Sequence, residues 1–155
     1  MSAFTVSEVT AADAAVEDVL ARHHALMRST SPEESCHVMT GAELRASGAR
    51  VFRVADEDGQ VLGIGALKPL GPEAVELKSM HTLSEARGRG VAAVLLAGLL
   101  TEAGRIGARE VLLETGSAEE FAPARRLYER AGFVECPPFG DYVEDPLSTF
   151  MQKPL

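Results

Sequence analysis

The apolar and polar positions of the opening, Thr5 to Val9, read as a strand. The period then changes. In "TAADAAVEDVLARHHALMRS" the apolar residues Val16, Val19, Leu20, Leu26 and Met27 fall on one helical face, and Asp13 stands where a helix cap belongs. A polar loop, "STSPEESCHVMTG", leads to a short helix in "TGAELRASG", stopped by glycine. Two β-rich runs in "RVFRVADEDGQVLGIGALKPL" flank Asp58-Gly59, a hairpin signal. A further strand, "EAVELKSMHTL", follows a turn at Gly71-Pro72. A long apolar helix spans about Gly90 to Gly104. "REVLLETGS" is then a short strand, and "EEFAPARRLYERAG" a helix ending at Gly132. The tail, "FVECPPFGDYVEDPLSTFMQKPL", holds two more strands around an irregular loop.

The predicted order is therefore β-α-α-β-β-β-α-β-α-β-β. Three consecutive strands joined by hairpins are antiparallel, and the later strand-helix-strand step is a parallel crossover. This describes a mixed α/β sheet with helices on both faces. The chain has 155 residues, 46% of them hydrophobic, and shows neither repeat nor low-complexity linker. That suits a single domain over 1–155 with a substantial core. The net charge of −8 makes nucleic acid and anionic membrane poor partners. The apolar run "VAAVLLAGLL" is ten residues, too short for a membrane span. The N-terminus lacks the basic start and apolar core of a secretion signal, so the expected location is the cytoplasm. Neither Cys36 and Cys136 nor His23, His24, His37 and His81 have metal-ligand spacing, and no metal is expected.

One stretch runs against the acidic balance. "ARGRGVAAVLL" sets two arginines and two glycines between a strand and a helix. The first N–H groups of a helix have no internal partner, and the helix dipole is positive there. Glycines clear the approach of an anion, and arginines add charge and bidentate donors. Arg87, Gly88, Arg89, Gly90, Val91 and Ala92 thus form a candidate pyrophosphate site. It is neither a Walker A loop nor a dinucleotide fingerprint. A glycine turn with solvated arginines is the plainer reading of the same residues.

Arg87-x-x-Gly90-x-Ala92 resembles the Arg/Gln-x-x-Gly-x-Gly/Ala signature of the GCN5-related N-acetyltransferase (GNAT) superfamily. "ARRLYERAGF", Ala124 to Phe133, resembles that superfamily's Ala-x-x-Leu-Tyr-x-x-x-Gly-Phe segment. The C-terminal "FGDYVEDPLSTFMQKPL" is similar to that of a subgroup of small bacterial acetyltransferases. The resemblance implies a mixed, mostly antiparallel sheet with one splayed strand pair, in which acetyl-CoA lies. Met80, His81 and Thr82 would then end the cofactor strand, with main-chain groups of Met80 and Thr82 on the pantetheine arm. It also implies direct acetyl transfer to an amine, with Tyr128 as general acid. Glu76, eleven residues before Arg87, matches the spacing of a catalytic glutamate in histone acetyltransferases of the superfamily. Strand alternation puts Glu76, Lys78 and Met80 on one face and turns His81 away from it. Glu76 is the expected base; Glu114 and a water are its rivals, and pairing of Glu76 with Lys78 is the structural alternative. Many members have Asn seven residues before the tyrosine, where this chain has Phe121.

The acceptor is expected opposite the cofactor. "PEESCHVM" offers Glu34, Ser35 and His37, and "FGDYVED" offers Asp141, Tyr142 and Asp145. Acids and an aromatic ring suit a cationic amine. Arg50 and Arg53 suit a substrate carboxylate instead. The expected activity is acetyl-CoA-dependent N-acetylation of a small-molecule or amino-acid-like amine. Dimers are common in the superfamily, so a homodimer is compatible with it. Two other functions fit the same residues. One is a CoA-binding sensor without chemistry. The other is an acyltransferase for longer acyl-CoA, given room beside Gly63, Gly65 and Ala66.

Overall fold

The computed structural model describes residues 3–11, 13–30 and 37–155. Strand β1 (Thr5–Glu8) leads to helix α1 (Ala14–Thr30) and the short helix α2 (Gly41–Ala46). Three strands follow: β2 (Arg50–Ala55), β3 (Val61–Pro69) and β4 (Ala74–Thr82). Helix α3 (Val91–Arg105), β5 (Glu110–Gly116), α4 (Ala122–Arg130), β6 (Val134–Glu135) and β7 (Ser148–Pro154) complete the order. The predicted succession of elements is the observed one.

Local chemistry explains several boundaries. Asp13 Oδ1 accepts from the backbone of Ala15 and Val16, capping α1. Thr40 and Glu43 form a reciprocal capping box at the start of α2. In the hairpin between β2 and β3, Asp56 Oδ1 accepts from the N–H groups of Asp58 and Gln60. Gly59 there takes a φ of +82°, which a β-carbon would strain.

The seven strands lie in the order β1-β2-β3-β4-β5-β7-β6. Every neighbouring pair is antiparallel except β4 and β5, the pair linked by the crossover through α3. Helices cover both faces of the sheet centre. β3 is buried at each position from Val61 to Leu67, which alternation with one wet face would forbid. Val16, Val19 and Leu20 of α1 and Leu95, Leu96 and Leu99 of α3 belong to the same core cluster. Each of these leucines contributes roughly 1.5–3 kcal/mol by leaving water.

Arg50 and Arg53 do not reach a substrate site. Arg50 binds Glu8 at 2.6 Å and Glu102 at 3.0 Å, tying β1, β2 and α3 together. Hydrogen bonding from Arg105 and then Arg50 holds the Glu102 carboxyl down at about 2. Arg53 binds Asp13 at 3.0 Å, beside the α1 cap. The expected carboxylate recognition by these arginines is therefore overturned: internal acids already occupy both. The small residues of β3 likewise leave no space. A Cβ on Gly65 would lie 2.7 Å from Leu99 Cδ1 and 3.1 Å from Met80 Sδ, and one on Gly63 2.9 Å from the His81 carbonyl. Neighbouring atoms fill the room that a longer acyl chain would need there.

Candidate active site

The sheet opens at its one parallel seam. β4 and β5 pair from Ala74 opposite Glu110 to Leu77 opposite Leu113, and no further. Beyond Leu77 the strands diverge, because β4 carries a bulge. Ile64 faces His81 and Ala66 faces Lys78, so Ser79 and Met80 together oppose Gly65. Ser79 sits at φ +56°, a conformation uncommon for a residue with a β-carbon.

The bulge shifts the alternation by one residue. Expected period-two placement put Met80 with Glu76 and Lys78, and His81 on the other side. Instead Met80 lies against Gly65 beside Leu99 of α3. His81 turns to α1, where its Nδ1 stands 3.2 Å from Nδ1 of His23. His23 shares a cavity wall with Glu76.

Two cavities meet in the opening. One, of about 420 Å³, is lined by Met80, His81, Thr82, Arg87, Gly88 and the first turn of α3. Gly88 and Gly90 adopt φ values of +79° and +78°, and nothing would lie within 4 Å of a Cβ at either. Gly90 precedes α3 without any side-chain cap, so the first amides of that helix face this cavity unpaired. Val91 is buried, while Ala92 and Ala93 line the space. Arg89 does not line it; its guanidinium lies 5.4 Å over the Phe4 ring.

The other cavity, of about 150 Å³, is lined by Glu76, Lys78, Glu114, His37, Tyr142 and apolar side chains. Glu76 is only 3% exposed. Its Oε2 accepts from Tyr142 Oη at 2.6 Å and from Lys78 Nζ at 3.2 Å, and Lys78 also donates to Tyr142 Oη at 3.0 Å. These three groups close a triangle. Burial, then the Glu76 charge, pushes the Tyr142 phenol well above its ordinary range. Glu114 stands apart from the triangle. Burial pushes its carboxyl up, against the opposing pull of the Ser148 hydroxyl and then of His37 and Lys78. The Ser148 hydroxyl lies beside Glu114, near enough to act on its carboxyl but outside good hydrogen-bond geometry with any described residue. Of the other acceptor candidates, His37 packs edge-on against Tyr142 with centroids 5.0 Å apart. Asp141 is exposed and lines neither cavity. Glu34 and Ser35 lie outside the described residues.

Tyr128, Met80 and Ala124 line both cavities. Tyr128 projects from α4, is 6% exposed and rests edge-on against Phe133. Its hydroxyl makes no hydrogen bond among the described residues. Burial, with the Glu114 charge adding, raises the phenol so far that it stays protonated near neutral pH. Phe121 walls the smaller cavity, its ring filling the space that any side chain on Gly116 would take. Arg125 fastens α4 to the end of β5, donating to the carbonyls of Gly116 and Ala118 at 2.7 and 2.9 Å.

Sequence reasoning passed over the pairing of His23 with His81. A signal for it exists: His23 falls in the buried stripe Val16, Val19, Leu20, His23, where a polar residue needs a partner.

A mixed sheet parted at its parallel seam, above a glycine-bounded helix start, is the architecture of a GNAT acetyltransferase. Residues 17–133 match the model of the Acetyltransferase (GNAT) family, and the chain belongs to that family of acyltransferases. It is 41% identical over 140 residues to the uncharacterized N-acetyltransferase YsnE of Bacillus subtilis, covering 90% of this chain and 92% of that one. It is 39% identical over 126 residues to an IAA acetyltransferase of Azospirillum brasilense, covering 80% of each. A GNAT acetyltransferase from Elizabethkingia anophelis, solved with acetyl-CoA bound, superposes with a TM-score of 0.74 over the full length of both chains. At 16% identity that likeness speaks for the fold.

Proposed function

We propose that the chain, as one N-acetyltransferase domain, moves an acetyl group from acetyl-CoA to the amine of a small molecule by direct transfer. The observation that carries this reading is Tyr128, which lines both cavities and whose hydroxyl makes no hydrogen bond among the described residues. The larger cavity suits the cosubstrate. Its pyrophosphate would rest on the backbone from Gly88 to Ala92, with Arg87 beside it. Its pantetheine arm would run along the edge of β4 that β5 leaves free, on main-chain groups of Met80 and Thr82. An amide of this bulged stretch is suitably placed to stabilise the oxyanion.

The amine enters from the acidic cavity. It arrives as an ammonium and must lose a proton before it attacks. Glu114 suits that task better than Glu76. Glu76 is nearly sealed, and Lys78 and Tyr142 already hold its Oε2. Glu114 lines the cavity, close enough to Tyr128 for its charge to act on the phenol, and burial raises its proton affinity. The neutral nitrogen then forms a bond to the thioester carbon, and the carbon–sulfur bond breaks. Tyr128 gives its proton to the departing thiolate. The resulting phenolate is a strong base in this dry site and recovers a proton, at the expense of the one held by Glu114. The attacking nitrogen gives up its second proton to bulk water as the tetrahedral intermediate collapses, so the net reaction yields the amide, free CoA thiol and one proton. The filled space around Gly65 favours acetyl over longer acyl groups.

Thermal stability with and without acetyl-CoA tests the cosubstrate site. A ligand at a hundredfold excess over its Kd adds about 2.7 kcal/mol to the stability of the folded state. Ala92→Glu sets a carboxylate in the first turn of α3, where a helix welcomes it and a phosphate does not. Wild type should be stabilised and Ala92→Glu, folded, should not. Equal stabilisation of both would remove the pyrophosphate assignment. No stabilisation of wild type by acetyl-CoA would remove the activity itself.

A further inference from the structure

The charges around the smaller cavity narrow the acceptor further, on the reading that this cavity is where the acceptor binds. Lys78 is only 10% exposed and spends its ammonium on Glu76 and Tyr142, with the Tyr142 ring 5.6 Å beneath it. The Lys78–Glu76 pair is neutral as a unit. Glu114 then remains as a carboxylate without an ion-pair partner among the described residues. His37 lines the cavity near enough to act on Glu114, its ring packed edge-on against Tyr142; the other basic groups nearby are committed elsewhere. Arg125 serves two carbonyls, and His23 is bound to His81 and kept neutral by burial. The sequence from Ser31 to Cys36, ahead of His37, contains no Lys, Arg or His. The remaining walls are mostly apolar, from Met27, Val38, Phe121 and Leu147, with Ser79 and Thr115 adding uncharged polar groups.

We infer that the acceptor is a monoamine on an aryl or alkyl body that carries no carboxylate. Its ammonium meets Glu114, and its body takes the apolar walls. The carboxylate of an amino acid would lie unpaired in the same space, facing Glu114 at close range. The second ammonium of a diamine would face Met and Phe side chains.

The test compares 2-phenylethylamine, phenylalanine and putrescine as acceptors, by thiol release from acetyl-CoA and by mass detection of the N-acetyl product. Stabilisation by acetyl-CoA is measured alongside. The expected result is a kcat/KM for 2-phenylethylamine about a hundredfold or more above either competitor. Binding of 2-phenylethylamine to the CoA-loaded protein, followed by calorimetry, should weaken about tenfold in Glu114→Gln. Acetyl-CoA should stabilise that variant as it does wild type. Phenylalanine or putrescine matching 2-phenylethylamine overturns the inference and leaves acetyl transfer standing. Stabilisation by acetyl-CoA with no acceptor acetylated also overturns it, and leaves the cosubstrate site standing. Failure of acetyl-CoA to stabilise wild type takes down both.

Discussion

His23 on α1 and His81 on β4 share one hydrogen bond between Nδ1 atoms 3.2 Å apart. One ring donates and the other accepts, so at least the accepting ring is neutral. Burial first, then the proximity of His81 and His24, pushes His23 down to about 3. Burial, then Arg87 and Arg22, lowers His81 as well. A histidine in the unfolded chain titrates near 6.5. Between that pH and about 3 the unfolded state binds a proton at His23 that the folded state refuses. Stability therefore rises with pH across this window and falls as the solution is acidified. The slope is about 1.4 kcal/mol per pH unit, so His23 removes about 2 kcal/mol between pH 7 and pH 5. His23→Asn places an amide near the former Nδ1 and cannot titrate. It pays a roughly constant penalty for lost packing, but its pH slope should be shallower than that of wild type by this amount. Urea unfolding of both proteins at several pH values between 5 and 7.5 measures the difference directly, because Glu8, Glu102 and the other acids titrate alike in each. Parallel stability curves for the two proteins would refute the reasoning. His23 would then not be a buried neutral group, and the latch between α1 and the bulged strand would not exist as described.

Tyr128→Phe keeps the ring against Phe133 and removes only the hydroxyl, which makes no hydrogen bond among the described residues. Stability and acetyl-CoA binding should hold, while kcat falls roughly a hundredfold to ten-thousandfold; a wild-type kcat would make Tyr128 a packing residue and favour a different proton donor. Gly65→Ala drives a methyl into Leu99 and Met80 and should cost about 1–3 kcal/mol in urea unfolding, with a raised KM for acetyl-CoA as Met80 is displaced. An unchanged midpoint together with faster use of longer acyl-CoA would show that this space is free, against the account given above.

The order of elements was legible because its signals are local. Asp13 caps α1, Asp56 and Gly59 turn the β2–β3 hairpin, and apolar stripes mark α1 and α3. The loop from Arg87 to Ala92 was legible for the same reason: glycines with positive φ and an uncapped helix start are properties of a few consecutive residues. Alternation failed at Met80 and His81 because one extra residue in a strand inverts every later position, and nothing in "ELKSMHTL" announces the bulge at Ser79. Arg89 looked like a phosphate ligand until Phe4, far away in sequence, captured its guanidinium.

What the sequence determined alone was therefore the elements, their order, the glycine loop before α3 and the tyrosine helix. These arise from contacts within a turn or two, where residue type suffices. Only the tertiary structure decided which carboxylate is free. Glu76 and Tyr142 are 66 positions apart, and their 2.6 Å bond exists because the β6–β7 connection folds back over β4. With Lys78 drawn into the same triangle, Glu76 is withdrawn and Glu114 is left facing the smaller cavity. The charge on a side chain belongs to the sequence. Whether that charge is already neutralised depends on neighbours that only the folded chain brings within reach.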